Sequence, residues 1–385
     1  MYENDIVKCL NELLNLTCSS QLLVNCLDTL GIVSEDATML RQVINNGGMR
    51  KVWSMLRSDF HEVQVAAARA VCNCINNPES AGVVGQMFVG GFDVLIRLVS
   101  SSRKSQVIGY CNLVMAKMAT NKQNRVVLSE SGVLKMLSDT LLSSRDRFVE
   151  ILSLMGSKPT NQNETEELFF AEVQFETVPL RRKMILTCKE YNDKLLSALF
   201  VFSNTAIAIG ELCKHGSNRY VLHQLGALEP LVDCLSYLSF VQQHFDANHH
   251  RNEFDNAAMV EIMGRHQIVL EGSAKTKMSD EEVGIVTNPD FDDNLPFVCK
   301  SKICSPSSLD KSFSRDLDCY YHHVFRNATY ALSQLSEDET VADKLRLCNS
   351  VSIMVRLLNS NNDALQVSAA KTISNIRKRH CSDKM

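Results

Sequence analysis

Tryptophan and proline are scarce in this chain: Trp53 stands alone, and 7 prolines are spread over 385 residues. Aromatic residues make up only 6% of the total. So few prolines leave long stretches without a helix breaker, and abundant Leu, Ala, Val and Asn point to a mostly helical fold. Net charge is only -4, which gives no electrostatic case for nucleic acid. No stretch reaches the roughly 20 apolar residues of a membrane span. The longest uncharged run, Leu195 to Gly210, is interrupted by Ser197, Ser203, Asn204 and Thr205. Met1 to Ser20 lacks the basic start and apolar block of a signal peptide. The 14 cysteines include no CxxC pair. Cys26, Cys72, Cys111, Cys213 and Cys348 fall inside apolar helical patterns instead. Small buried thiols in a reduced, cytoplasmic protein are expected. The glycosylation patterns at Asn15, Asn163 and Asn327 are then chance.

Chemistry-bearing patterns are missing as well. GxxxxGK[ST], GxSxG and HExxH do not occur. His244, His249, His250 and His266 lack zinc-ligand spacing, as do Cys299, Cys304 and Cys319. We therefore assign no catalytic, cofactor-binding or metal-ligating residue and no small-molecule substrate. The chain reads as a non-enzyme.

A repeat is present. "EVQVAAARAVCNCI" (Glu62 to Ile75) and "LQVSAAKTISNI" (Leu365 to Ile376) pair off at a shift of 302: Gln64 with Gln366, Val65 with Val367, Ala67 with Ala369, Arg69 with Lys371, Val71 with Ile373, Asn73 with Asn375. Five further segments place a small residue before an apolar helix that ends near a serine. Their anchors are Gly48, Gly91, Gly132, Gly226 and Ser350, at spacings of 43, 41, 94 and 124. The first two spacings match the period of an armadillo or HEAT array, roughly 40 to 47 residues. The last two match one period plus an insertion.

Each unit reads as three helices. The first precedes the glycine, as in "SAGVVGQMFV". In the second, Phe92, Leu95, Ile96 and Val99 fall at helical spacing. The third carries the apolar stripe Val63, Ala66, Ala67, Ala70, Val71 and Cys74. Alanine suits close helix approach, and glycine suits a sharp turn at positive φ between helices one and two. Gly82-x-x-Gly85 and Gly90-Gly91 then belong to the repeat rather than to a phosphate loop. A single unit cannot bury its apolar face, but stacked units can. The expected fold is all-α: a right-handed armadillo/HEAT-like α-solenoid with two long insertions. The expected organisation is armadillo repeats over 1–141 (the first incomplete), a largely loop insertion over 142–193, a repeat over 194–236, a partly disordered insertion over 237–320, and C-terminal repeats over 321–385.

In armadillo arrays the third helices line a concave groove. By this register the groove positions are Asn73, Lys117, Glu211, Gln334 and Asn375, all polar on otherwise apolar helices. They suit a partner-binding groove, with amides holding the backbone of an extended partner, Lys117 favouring an acidic side chain and Glu211 a basic one. They equally suit solvated positions on a helix face.

The repeats resemble armadillo repeats in general. More narrowly, "LLVNCLDTLGIVSED" (Leu22 to Asp36), "GGMRKVWSMLRS" (Gly47 to Ser58), "CNCINNPESAGVVGQMFVGGFDVLIRLVSS" (Cys72 to Ser101), "NATYALSQLSEDE" (Asn327 to Glu339) and "AAKTISNIRK" (Ala369 to Lys378) resemble, in order, the armadillo subunits of the outer dynein arm docking complex. Against that family the chain begins in mid-array, with no complete unit before Ser20, and carries two extra insertions. The resemblance implies a protein-binding scaffold in the cytoplasm and in the axoneme of motile cilia or flagella. There it would help attach outer dynein arms to doublet microtubules. Implied partners are coiled-coil docking subunits, outer-arm dynein or axonemal tubulin, with no nucleic acid and no membrane. A general armadillo adaptor in signalling or nuclear transport is the other reading.

Overall fold

The computed structural model describes residues 2–15, 19–87, 92–154, 168–171, 184–248, 309–348, 350–360 and 362–382. Helices α1 (Tyr2–Leu13) and α2 (Ser20–Val33) come first. Five three-helix units follow. The first holds α3 (Ala37–Asn45), α4 (Gly48–Met55) and α5 (His61–Cys74). The second holds α6 (Pro78–Gln86), α7 (Phe92–Ser101) and α8 (Ser105–Met118). The third holds α9 (Lys122–Glu130), α10 (Val133–Leu154) and α11 (Cys188–Leu212). The fourth holds α12 (Gly216–Gln224), α13 (Leu228–Asn248) and α14 (Leu309–Leu335). The fifth holds α15 (Glu339–Leu347), α16 (Ser350–Leu357) and α17 (Asp363–Ser382). Strands β1 (Leu168–Ala171) and β2 (Met184–Thr187) form an antiparallel ribbon just before α11, pairing Leu168 with Thr187 and Ala171 with Met184.

The core runs along the third helices. α2 packs on α5, α5 on α8, α8 on α11, α11 on α14 and α14 on α17. Each inner one is covered on two flanks by its neighbours, so most of its residues are buried while one side stays open to solvent. The expected stripe of α5 is buried, and so are Val65, Ala68 and Cys72 beside it. The run Asp193–Leu212 of α11 is long and apolar enough to cross a membrane, yet here it is 78% buried between neighbouring helices. Close approach demands small residues. A Cβ at Gly31 would lie 3.0 Å from the Ala70 Cα, and one at Gly210 would lie 2.6 Å from the Tyr330 ring.

Local chemistry repeats with the units. Asp36, Asn77, Asn121 and Asp338 cap the first helices of four units, each accepting from backbone N–H groups two or three residues on. Third-helix entry is tied the same way at both ends of the array. The Gln64 amide donates to the Ser58 carbonyl at 2.7 Å, and Gln366 donates to the Ser360 carbonyl at 2.6 Å. The matched glutamines read from the sequence thus make matched bonds.

Both insertions fall between the second and third helix of a unit, after α10 and after α13. The helices reach further into them than the expected boundaries. α10 continues to Leu154 because Leu141, Phe148 and Ile151 keep the helical period and are buried. α14 starts at Leu309, ahead of the boundary expected at 320. The histidines at 249, 250 and 266, the cysteines at 299 and 304, and the Gly90-Gly91 pair lie outside the described residues.

Two expectations need correction. The left-handed turn residue of the first unit is Gly47 (φ 73°), not Gly48. Gly48 opens α4, where a Cβ would meet Asn11 Oδ1 at 2.6 Å and the Val43 carbonyl oxygen at 3.0 Å, so its smallness serves packing. Cys348 is exposed at the C-cap of α15 because the helix has already ended there. Cys26, Cys72, Cys111 and Cys213 are buried with their thiols outside any disulfide, as are Cys74 and Cys234. Burial pushes the Cys72 thiol up to about 12 and that of Cys74 to about 11. Those thiols stay protonated and act as small apolar filler.

Gly132 (φ 82°) and Gly226 (φ 78°) take the left-handed turn as expected. Nothing lies within 4 Å of a Cβ placed on Gly132, so a substitution there tests conformation alone. Gly132→Val should lower stability by about 1–2 kcal/mol, and Gly132→Asn by clearly less, since Asn tolerates the left-handed region. Urea unfolding monitored by circular dichroism checks this. Equal midpoints for Val and Gly would show that the turn is not held at positive φ.

Candidate functional site

The candidate site is the solvent-facing side of the third helices. On α8 it runs through Gln106, Tyr110, Leu113 and Lys117, and on α11 through Leu196, Phe200, Ile207 and Glu211, at helical spacing. Its middle is apolar and aromatic. The Tyr110 and Phe200 rings meet edge to face, with centroids 5.2 Å apart. The Arg69 guanidinium lies 5.9 Å from the Tyr110 centroid and is held bidentately by Asp28 at 2.6 and 2.7 Å.

All five predicted groove residues lie on successive stacked third helices, toward their C-terminal ends, but they do different things. Lys117 reaches back to the end of α5, its Nζ donating to the carbonyls of Cys72 at 2.6 Å and Ile75 at 3.1 Å. Those are orphan acceptors at the negative end of the α5 dipole. Asn375 does the equivalent for α14, donating to the Ser336 hydroxyl at 3.0 Å and the Ser333 carbonyl at 3.5 Å. Glu211 is only 9% exposed; it accepts from Lys214 at 2.6 Å and from the Tyr330 hydroxyl at 2.7 Å. Burial first, and the Glu211 charge second, hold the Tyr330 hydroxyl protonated as that donor. Gln334 is buried and makes a 3.4 Å contact to the Ser333 hydroxyl. Asn73 is half-buried beside Gly31 and has no hydrogen-bond partner among the described residues. Of the five, it is the side chain left open to a ligand.

A second set of polar residues went unread in the sequence. Asn124 on α9 donates to the Ala81 carbonyl of α6 at 2.7 Å, and Gly82 and Gly85 leave room for Asn121 and Asn124. The next residue, Arg125, donates to the Ala119 and Thr120 carbonyls that follow α8. In the fourth unit Asn218 donates to Ser129 of α9 and to the Leu212 carbonyl, and Arg219 donates to the Cys213 carbonyl. The Asn-Arg pair recurs at the same spacing of 94 as Gly132 and Gly226, which was the available signal. Arg219 also pairs with Glu337, which takes Lys371 at 2.5 Å, so one carboxylate joins units four and five.

These contacts separate structure from recognition. Lys117→Ala should cost about 1.5–3 kcal/mol, the range for hydrogen bonds to a charged group, because two buried-end carbonyls lose their donor. Asn73→Ala should stay within about 0.5 kcal/mol. Thermal and urea unfolding of the two variants distinguishes them; the same loss in both would mean that Asn73 also holds the fold.

Comparison with known proteins follows the same division. No protein-family model matches the chain. The armadillo repeat-containing protein gudu of Drosophila melanogaster is 25% identical over 202 residues, 52% of this chain and 28% of that protein. Outer dynein arm-docking complex subunit 2 of Bos taurus is 31% identical over 94 residues, 24% of this chain and 9% of that protein. The chain thus spans less than a third of the length of these relatives. Among solved structures, a designed armadillo repeat protein matches with a TM-score of 0.52 at 15% identity, over 97% of this chain and 99% of that one. An engineered protein matches with a TM-score of 0.54 at 16% identity, over 97% and 99%. With its three-helix units and left-handed turn glycines, the chain has the armadillo-repeat solenoid fold.

Proposed function

We propose that this array is a non-enzymatic scaffold that holds a segment of a docking-complex subunit along its third-helix face, and that it serves in attaching outer dynein arms to doublet microtubules of motile cilia. The observation that carries this reading is the 31% identity over 94 residues to a protein named for that complex. The face itself supports a protein ligand. Asn73 offers an unpaired amide, and Tyr110, Leu113, Phe200 and Ile207 offer a half-exposed apolar strip beside it.

The geometry changes how such a face selects. Lys117 and Glu211 spend their charge inside the array, so recognition falls to the amide and to the apolar strip rather than to alternating charge. An extended segment with aliphatic side chains, or one flank of a coiled coil, fits better than a strongly charged peptide. Outer-arm dynein and axonemal tubulin remain partners of the assembled complex in this reading, and the axoneme and cytoplasm its locations. Nuclear-import carriers of this fold grip basic peptides with a ladder of tryptophans. Here Trp53 sits on the second helix α4 and is 6% exposed, which disfavours that alternative.

The test uses the full chain and purified coiled-coil docking subunits. The wild type should retain a subunit on beads, and Asn73→Arg should weaken retention by about tenfold or more while leaving the melting temperature in place. No retention by the wild type sinks the docking reading. Equal retention by both moves the binding site off this face.

A further inference from the structure

We propose that the outer side of the first two units is a second, independent docking surface, and that its partner is an acidic protein segment carrying an aliphatic or aromatic anchor. A cleft of about 420 Å³ lies between the turn that follows α4 and the helix α7. Its floor is apolar, built from Leu56, Val94 and Leu98, and its rim carries Arg57, Arg97 and Asp93. The three rim side chains are exposed.

What singles the cleft out is that unpaired arginines flank an apolar floor. Several guanidiniums elsewhere in the array are spent on the fold. Arg69 pairs with Asp28, Arg145 with Asp233, Arg219 with Glu337, and Arg125 caps α8. The guanidiniums of Arg57 and Arg97 have no ion-pair or hydrogen-bond partner among the described residues, and neither do those of Arg50 and Arg103. Arg50 lies on α4, Arg57 two residues past its end, and Arg103 two residues past the end of α7. The Arg57 and Arg97 guanidiniums beside an apolar floor form a positive area on a chain whose net charge is -4. Two unpaired guanidiniums flanking a hydrophobic slot suit a carboxylate on either side of a buried Leu, Ile or Phe.

The same details favour an acidic protein over a polyphosphate. A nucleic acid or an anionic bilayer presents uniform negative charge, which Asp93 on the rim and the acidic balance of the whole chain oppose. Such ligands also leave the floor of Leu56, Val94 and Leu98 without an apolar occupant. A protein segment fills the floor and can place a Lys or a hydroxyl opposite Asp93.

The experiment probes the full chain with an arrayed library of 12-residue peptides that varies acidic and apolar spacing, followed by fluorescence anisotropy on the best members. Peptides with Asp or Glu flanking an apolar residue should be enriched, and their affinity should fall as salt rises. The double variant Arg57→Gln/Arg97→Gln should bind them about tenfold or more weakly, and Asp93→Asn more tightly. Asn73→Arg should change nothing, which keeps this surface separate from the third-helix face. Absence of acidic enrichment overturns the proposal, as does equal binding by the double variant. Tighter arginine-dependent binding of a single-stranded oligonucleotide or of phosphatidylserine vesicles overturns it too, in favour of a polyanion.

Discussion

Everything in this array depends on how closely one third helix lies against the next. Each inner third helix must present two packing flanks and still leave a side to solvent. That leaves room only for small residues where backbones meet, as at Gly31 against Ala70 and Gly210 against Ala331. Larger side chains then lock into the gaps, Phe200 over Gly109 and Tyr330 over Gly210. The cysteines follow the same logic: a thiol is barely larger than a methyl group, and six of them are buried along or beside this seam. Interiors packed at crystal-like density feel every added methylene, so these positions are fixed by space before chemistry.

A second constraint follows from the first. Stacked helices end side by side, and their terminal carbonyls cannot all reach water. The array answers with side chains sent across from neighbouring elements. Asn76 donates to the Glu35 carbonyl beyond α2, Lys117 to the end of α5, Arg125 to the end of α8, Arg219 to the end of α11 and Asn375 to the end of α14. A polar residue on an apolar helix is therefore first a structural acceptor or donor. Binding capacity is what remains when that demand is met, and on this face it remains at Asn73 and along the apolar strip.

The repeat was legible because stacking writes itself into spacing. Gln64 and Gln366 were matched by position, and they make the same bond to the serine six residues earlier. Other features were not legible, for identifiable reasons. Two adjacent glycines at 47 and 48 look alike in a sequence, and only the backbone says which one takes positive φ. Lys117 and Glu211 looked like groove charges because their partners, carbonyls of α5 and a tyrosine 119 residues away, are set by stacking rather than by local pattern. Cys348 looked buried because its neighbours are apolar, but it falls past the end of α15.

The placement of the two insertions is a consequence of the same seam. A connection between units must keep successive third helices in contact, and the turn between first and second helices is held by a left-handed glycine at Gly132 and Gly226. The link from second to third helix carries neither burden. Added chain there costs closure entropy that grows only slowly with length. Extra turns on α10 and α14 continue the existing helices instead of displacing them. The array can thus gain sequence at this one kind of junction, in units three and four, while the packing that defines every unit stays the same.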